Sequence, residues 1–368
     1  MVRMHSHAMK PTQRLHDLGQ SLWLDNITRD LLDSGTLKRY VDDWSVTGLT
    51  SNPTIFEQAI HHSTAYDAAI IRGLAQGRAD EALFFDLALE DINRAADLFR
   101  PVFDRTSGVD GWVSLEVSPL LARDAKTTLA VAKELHARAG RPNLYIKIPG
   151  TPEGLPAIEE AIFAGVPINV TLLFSCEHTL AAAEAYLKGV ERRIAAGLNP
   201  NVASVASLFI SRWDVAVAGK VPAELNSKLG IAVGQKTYRA YCDLLASDRL
   251  KRIENAGGRP QRLLWASTKT KDPAASDTLY VEGLATPFTI NTMPDSTLEA
   301  FHEHGVVRAA WGSDHDPQRA LDPFERAGVE RPALAARLQR EGADAFTKSW
   351  KELLSRIDAK RSSTRGTQ

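Results

Sequence analysis

Residues 143–175 read NLYIKIPGTPEGLPAIEEAIFAGVPINVTLLFS and contain the repeating unit from which the fold follows. A short apolar run ends at Lys147, a turn and a helical pattern follow, and a second apolar run ends at Thr171. Short apolar runs bounded by turns are typical of buried strands. A strand, a helix and a second strand in this order predict a βαβ unit, in which the two strands lie parallel.

The same unit recurs on both sides of this stretch, so that the chain holds eight apolar runs. Each run leads to a polar residue: residues 22–24 to Asp25, 46–49 to Asn52, 113–115 to Glu116, 144–146 to Lys147, 168–170 to Thr171, 202–206 to Ser207, 263–266 to Ser267 and 288–290 to Asn291. Helical patterns separate the runs, for example at residues 28–41, 118–139, 176–196 and 296–304. Eight strands alternating with helices predict an α/β fold, a single-domain (β/α)8 TIM barrel.

The chain is longer than such a barrel requires. Its 368 residues exceed the roughly 250 that are typical of the fold. The surplus falls in residues 64–98, 215–256 and 317–360, which are rich in helix-forming residues and predict helices on the outside of the barrel. We expect one barrel domain over residues 21–361, a poorly ordered tail over residues 1–20 and a second tail over residues 362–368.

Composition excludes several classes of protein. Hydrophobic residues make up 44% of the chain and charged residues 24%, which is ordinary for a packed globular protein and argues against a disordered or fibrous chain. The formal net charge of -1 gives no global field that favours nucleic acid or an acidic membrane. The two cysteines, Cys176 and Cys242, fit a reducing compartment, and no apolar run approaches the roughly 20 residues of a membrane span. We expect a cytoplasmic protein without nucleic-acid or membrane partners.

The polar residues at the ends of the runs indicate where the function lies. In a TIM barrel the active site is built at the C-terminal ends of the strands. We therefore expect one pocket to be formed by Asp25, Asn52, Glu116, Lys147, Thr171, Ser207 and Ser267. Any single one of these residues could also be polar simply because the buried strand ends there. A lysine, two carboxylates and an amide on successive strands are explained less well in that way.

Lys147 is the candidate nucleophile. Apolar neighbours bring its amine to a partly desolvated mouth, and desolvation disfavours the charged form of an amine, as attack on a carbonyl substrate requires. The alternative is a lysine that extends from a strand end into solvent. Glu116 ends the preceding strand and could donate and accept the protons that imine formation needs.

Other strand ends offer further polar groups. Asp25 is a candidate second base, although it lies where a helix N-cap is also expected. Asn52 precedes Pro53 and either caps the next helix or contacts the substrate. Asn169 and Thr171 alternate along one strand, so both can point into the barrel, where a buried amide and hydroxyl favour a polar site.

Anion binding is predicted after the sixth and seventh strands. Arg212 follows the sixth strand, and Ser267 and Lys269 follow the seventh, near where barrels often hold phosphate. Such loop cations are also common as solvated surface charges.

The sequence gives no pattern for a metal or a cofactor. The ten histidines are scattered, His302 and His304 are two residues apart and so lie off one helical face, and His5 and His7 fall in the expected tail. No G-x-S-x-G elbow or G-x-G-x-x-G fingerprint occurs. We expect no metal and no cofactor.

Six segments occur in the same order as in the transaldolase family, which the chain resembles over residues 22–304. They are LDNITRDLLDSGTL, VTGLTSNPTIF, VSLEVSPLLARD, LYIKIPGTPEGLPAI, GVPINVTLLFS and ASLFISRWD. The stretch DTLYVEGLATPFTINTMPDSTLEAF is similar to the longer bacterial subgroup, which includes fusions to glucose-6-phosphate isomerase. The resemblance implies a (β/α)8 barrel with a Schiff-base lysine on the fourth strand, matching Lys147.

The resemblance also implies roles for the other residues. Glu116 would be the acid and base of imine formation, with a water held by Thr171, and Asp25 would take the proton of the ketose C4 hydroxyl. A dihydroxyacetone unit would pass from sedoheptulose 7-phosphate to glyceraldehyde 3-phosphate, giving erythrose 4-phosphate and fructose 6-phosphate in the non-oxidative pentose phosphate pathway. The implied substrate ligands are Asn52, Asn169 and Ser207 for hydroxyls and Arg212, Ser267 and Lys269 for phosphate.

One position departs from the family pattern, and two other functions stay open. Many family members have arginine where this chain has Lys269. A lysine ammonium cannot form the two parallel hydrogen bonds that the planar guanidinium of arginine makes to phosphate. A fructose-6-phosphate aldolase that releases free dihydroxyacetone is the main alternative, although Glu116 and Phe209 favour a transaldolase. The other is a barrel that binds sugar phosphates without turnover. The sequence leaves the oligomeric state open between a monomer and a homodimer.

Overall fold

Eight parallel strands form a closed barrel in sequential order. The computed structural model describes residues 9–78, 80–308, 311 and 316–365. The strands are β1 Ser21–Asp25, β2 Val46–Thr50, β3 Trp112–Glu116, β4 Leu144–Pro149, β5 Ile168–Leu173, β6 Ser204–Phe209, β7 Arg262–Ala266 and β8 Thr289–Met293. Each pairs in parallel with its neighbours, and β8 closes the barrel against β1. The predicted TIM barrel is confirmed, with a strand at each of the eight apolar runs.

Helices surround the barrel. They are α1 Pro11–Asp17, α2 Arg29–Asp33, α3 Thr36–Asp43, α4 Pro53–His62, α5 Asp67–Ala75, α6 Asp80–Arg105, α7 Ala125–Ala139, α8 Leu155–Phe163, α9 Cys176–Ala195, α10 Ser211–Val217, α11 Leu229–Ala246, α12 Asp248–Asn255, α13 Leu279–Gly283, α14 Asp295–His304, α15 Pro317–Arg326 and α16 Arg331–Arg365. Two 3-10 turns lie at Pro119–Leu121 and Ala223–Leu225. No helix within the described residues is long and apolar enough to cross a membrane.

Aromatic side chains pack inside the barrel on the N-terminal side of Lys147. Trp23, Trp112 and Tyr145 are buried in one cluster, and the rings of Trp112 and Tyr145 stack with centroids 4.1 Å apart. Gly48 permits this packing, because a Cβ there would overlap the ring of Trp23. Side chains two residues apart on a strand face the same side, so Lys147 projects into the barrel above Tyr145. Packing beneath the lysine thus directs its amine towards the C-terminal end.

Two helices differ from the sequence prediction: one is divided in two, and the other begins later than expected. The helix expected over residues 28–41 is divided into α2 and α3, because Gly35 adopts a left-handed conformation (φ 75°) between them. The helix expected over residues 118–139 begins only after Asp124, whose side chain accepts a hydrogen bond from the backbone of Thr127. In both cases a local cap decides the helix boundary.

The predicted tails require a correction. Within residues 1–20, α1 forms from Pro11, and its Leu15 is fully buried in the main core. The buried amide of Gln20 donates to the carbonyl of Leu284 at 2.7 Å. At the other end, α16 extends to Arg365, past the expected boundary at residue 361. Burial against the core explains why residues 11–20 are ordered; residues 1–8 and 366–368 lie outside the described part.

The C-terminal surplus also differs from the prediction of purely external helices. Helix α16 packs along α4 and reaches the end of β5. Its Phe346 lies in the wall of the cavity at the C-terminal end of the barrel. The position of this helix follows from long-range packing, which the local pattern of residues 317–360 does not encode.

Candidate active site

A cavity of about 680 Å³ opens at the C-terminal ends of the strands. This volume lies within the usual range for small-molecule sites, about 300–1,000 Å³. Most of the predicted site residues line it, namely Asp25, Asn52, Lys147, Thr171, Ser207, Arg212, Ser267 and Lys269. Glu116 and Asn169 lie outside the lining but each contacts a residue that belongs to it. The barrel thus brings together the residues that the strand ends predicted.

Lys147 is buried and its amine is held in place. Its Nζ donates a hydrogen bond to the carbonyl of Ser51 at 2.9 Å and forms an ion pair with Glu116, 3.2 Å from Oε2. The register of β3 and β4 pairs Glu116 with Lys147, which explains the contact. The amine therefore points into the barrel mouth rather than out to solvent.

A buried carboxyl group, Glu116, and a partly buried one, Asp25, share the surroundings of this amine. Burial raises the pKa of Glu116; Lys147 opposes this shift and Asp25 adds to it. Burial also raises the pKa of Asp25, against the opposing effects of Lys147 and of a hydrogen bond from Thr50. Thr50 Oγ1 donates to Asp25 Oδ1 at 2.7 Å. A raised pKa brings a carboxyl group closer to the neutral range in which it can both donate and accept protons.

Three buried polar atoms of the site have no hydrogen-bond partner among the described residues, although Glu116 Oε2 is ion-paired with Lys147. Neither carboxylate oxygen of Glu116 has a hydrogen bond from the described residues, and the same holds for Thr171 Oγ1. Burying a polar group without a partner costs roughly 1–3 kcal/mol in proteins. These atoms therefore have the capacity to bind a water or a substrate group.

The structure distinguishes capping residues from residues that face the cavity. Thr28 caps α2 by accepting a hydrogen bond from the backbone of Leu31 at 2.9 Å, which leaves Asp25 outside the cap. Asn52 does both, since its Oδ1 accepts from Ile55 N at 3.1 Å and its side chain lines the cavity. The two alternatives for Asn52 are therefore compatible.

Asn169 lies behind the cavity wall in a hydrogen-bonded chain. Ser207 Oγ donates to Asn169 Oδ1 at 2.7 Å, and Asn169 Nδ2 donates to Ser114 Oγ at 3.1 Å. Ser207 itself lines the cavity. This chain fixes the Ser207 hydroxyl across β3, β5 and β6.

Cations collect at one side of the cavity. Arg212, Lys269 and Lys271 all line it, and none has an ion pair with a carboxylate in the described part of the chain. Burial lowers the pKa of Lys271, and the charges of Lys269 and Arg212 lower it further. Like charges without a counter-ion repel one another, so an anionic ligand would stabilise the group.

Lys271 and Phe346 were missed by the sequence analysis. The i, i+2 spacing of the lysines in STKTKD was an available signal for Lys271, although loop cations are common. Phe346 had no such signal, because it lies about 200 positions after Lys147 in the sequence. Its ring centroid is 5.8 Å from Lys147 Nζ. A buried aromatic ring therefore forms part of the wall beside the amine.

His302 and His304 lie outside the cavity lining, whereas His62 belongs to it. His302 Nδ1 and Thr12 Oγ1 are 3.0 Å apart, and His304 Nε2 lies 2.9 Å from Asp277. Across the described ranges, no cluster of three or more His, Cys, Asp or Glu residues could hold a metal ion. His5 and His7 lie outside the described residues.

The barrel and its mouth define a class: a TIM-barrel enzyme whose site is centred on a buried lysine between carboxyl groups. The chain belongs to the transaldolase/fructose-6-phosphate aldolase family, whose model matches residues 22–357. It is 44% identical over 357 residues to the transaldolase of Thermobifida fusca, covering 94% of this chain and 97% of the relative. It is 43% identical over 353 residues to that of Saccharopolyspora erythraea, covering 94% and 96%. The transaldolase of Trichodesmium erythraeum is 38% identical over 367 residues, with 94% and 96% covered.

Proposed function

We propose that the chain is a transaldolase that carries a three-carbon dihydroxyacetone unit between sugar phosphates through a Schiff base on Lys147. The observation that carries the proposal is the buried Lys147 amine, 3.2 Å from Glu116 in a cavity that also holds Asp25. The proposed donor is sedoheptulose 7-phosphate and the acceptor glyceraldehyde 3-phosphate, giving erythrose 4-phosphate and fructose 6-phosphate. This is the transfer of the non-oxidative pentose phosphate pathway, and relatives covering nearly the whole chain are named transaldolases.

The first step joins the amine to the ketone. Glu116 takes a proton from the Lys147 ammonium, the freed amine attacks the donor's C2 carbonyl, and Glu116 returns the proton to the alkoxide to give a carbinolamine hydroxyl. Protonation of that hydroxyl lets water leave and forms an iminium ion. The oxygens of Glu116 and the hydroxyl of Thr171, which have no hydrogen-bond partner among the described residues, are suited to hold this water.

The second step breaks the carbon chain. Asp25 removes the proton from the C4 hydroxyl, the C3–C4 bond breaks, and its electron pair flows into the iminium to give an enamine. The shortened aldose phosphate leaves as an aldehyde. The three-carbon unit stays covalently bound to Lys147, which explains transfer rather than release.

The third step reverses the second with a new aldehyde. The enamine carbon attacks the acceptor, Asp25 returns its proton to the new hydroxyl, and hydrolysis of the iminium frees the lysine. Asn52, Asn169 and Ser207 are the proposed ligands of the dihydroxyacetone hydroxyls. Arg212, Ser267 and Lys269 are the proposed phosphate ligands.

A comparison with and without acceptor tests the proposed function against the aldolase alternative. Fructose 6-phosphate supplied together with erythrose 4-phosphate should give sedoheptulose 7-phosphate and glyceraldehyde 3-phosphate in a coupled assay. Without erythrose 4-phosphate, we expect steady release of free dihydroxyacetone to be at least about a hundredfold slower, because the enamine is held until an aldehyde arrives. Equal rates in the two assays would identify the protein as an aldolase.

Lys269 lacks the planar guanidinium with which an arginine binds phosphate through two hydrogen bonds. We infer that Lys271, which lines the same cavity, adds positive charge for phosphate binding. We expect Lys271→Met to raise the KM for a phosphorylated donor about five- to tenfold with kcat nearly unchanged, as loss of ground-state phosphate binding requires. The inhibition constant for inorganic phosphate should rise in parallel. Lys133→Met, on the exposed face of α7, is the matched control and should match the parent. A fall in kcat at constant KM would contradict a role in phosphate binding.

We also propose a cytoplasmic location and an enzyme that acts without nucleic-acid or membrane partners, as a monomer or homodimer. Two features support this proposal. Cys176 and Cys242 are both free thiols, as is usual in a reducing compartment. The nearly balanced charge gives no general attraction to polyanions.

A further inference from the structure

One side chain of the last helix joins the ends of two catalytic strands. Gln339 on α16 is buried, and its Nε2 donates to the carbonyl of Gly150 at 3.1 Å and to that of Leu172 at 3.0 Å. Gly150 directly follows β4, which carries Lys147, and Leu172 directly follows Thr171 in β5. A single amide therefore connects the backbones that place these two side chains.

The end of β5 has an irregular backbone, and the end of β4 packs closely against it. Leu172 has a φ of 59°, which is uncommon for leucine, and the pairing of β5 with β6 shifts register between Val170 and Leu173. Gly150 N donates to the carbonyl of Thr171 at 2.8 Å, and a Cβ on Gly150 would collide with Leu173. A residue held in an unfavourable conformation keeps it only where its surroundings impose it. These ends therefore depend on support from outside the sheet.

The face of α16 that meets the barrel supplies this support. Gln339, Gly342 and Phe346 are spaced i, i+3 and i+7, so they lie on one side of the helix. A Cβ on Gly342 would lie 3.0 Å from the Leu172 side chain, which shows how closely helix and strand approach. Phe346 on the same face reaches the wall beside Lys147. The helix thus contacts β5 and the amine through one surface.

We propose that Gln339 is a positioning residue that sets the placement of Lys147 relative to Thr171 by hydrogen bonding to the ends of β4 and β5. The inference rests on the proposed transaldolase function. Imine formation and hydrolysis require the Lys147 amine and a water bound near Thr171 to be correctly positioned relative to each other. A displacement of about 1 Å can lower a rate about a hundredfold. Donor binding at Arg212 and Lys269 does not involve these strand ends.

Gln339→Met tests the proposal, because methionine has a similar length and lacks the two donors. We expect kcat to fall about ten- to a hundredfold while the donor KM stays within about threefold. The borohydride-trapped adduct on Lys147 should form more slowly by a similar factor. Amide hydrogen exchange at residues 150–151 and 171–173 should be faster than in the parent.

Ser349→Ala is the matched control. It removes another hydrogen bond of α16, the one that Thr54 Oγ1 donates to Ser349 Oγ at 2.8 Å, and leaves the strand ends unchanged. Its kcat should remain within about twofold of the parent. Gln339→Asn keeps an amide that is one methylene shorter, so its kcat should fall between those of the parent and Gln339→Met.

The outcomes separate the two proposals. A parent protein without turnover or adduct would reject the proposed function, and the exchange rates alone would then decide whether Gln339 holds the strand ends. An active parent in which Gln339→Met equals Ser349→Ala in kcat would overturn the positioning role, as would a rise in KM at constant kcat. If Gln339→Met does not fold, Gln339→Asn is compared with Ser349→Ala by the same criteria.

Discussion

Lys147→Arg should lower kcat at least about 10⁴-fold although it keeps the positive charge beside Glu116. A guanidinium remains protonated in proteins and cannot form an imine, so this variant removes the nucleophile and retains a partner for the buried carboxylate. Lys147→Met should be equally inactive. It also leaves Glu116 without its cation, so its free energy of unfolding should fall more than that of Lys147→Arg.

Borohydride trapping provides the direct measurement. Hydride reduces the iminium to a secondary amine, so incubation of the parent with a ketose phosphate should add a stable mass to the peptide that contains Lys147. Neither variant should acquire this mass, whereas Lys133→Met should be labelled like the parent. Label on a different lysine, or turnover by Lys147→Arg, would exclude the proposed mechanism.

Asp25→Asn should lower kcat about 10²–10⁴-fold and leave imine formation largely intact. Asparagine matches aspartate in size and can still accept the hydrogen bond from Thr50, but it cannot remove the C4 hydroxyl proton. The trapped adduct should therefore form at nearly the parent rate while aldehyde release stops. Glu116→Gln should give the opposite result, with adduct formation slowed.

The pH profile gives an independent check on Asp25. Because burial raises the pKa of this carboxyl, the acid side of the kcat profile should fall at a pH above the ordinary carboxyl range. The base is active above that pKa and is lost as the pH falls through it. Asp25→Asn should lack this limb. An unchanged limb in the variant would assign the titration to a different group.

The sequence predicted the barrel well because its signal is local. Each strand has a few apolar residues followed by a polar one, as in the run that ends at Lys147, and β4 and β5 appear where that pattern places them. Because β3 and β4 are neighbouring parallel strands, their C-terminal residues Glu116 and Lys147 lie side by side, as the order of the strands in the sequence predicts. Residues on neighbouring strands of one barrel are therefore within reach of sequence reasoning.

The contributions of the last helix were not predictable in this way. Phe346 and Gln339 contact residues at strand ends that precede them by about 170 to 200 positions. Their neighbours on α16 show only an amphipathic pattern, which is the same for a helix on any part of the barrel. The competition between capping and catalysis at Asp25 also needed coordinates, because only they show that Thr28 accepts the hydrogen bond of Leu31 N and leaves Asp25 outside the cap.

The location of Phe346 and Gln339 on α16 has a consequence for biosynthesis. All eight strands precede α16 in the chain, so they are synthesised before the helix that supplies one wall of the catalytic mouth. Catalytic competence would then arise only at chain completion. A nascent or prematurely terminated chain would lack the Phe346 ring and the Gln339 amide at the mouth.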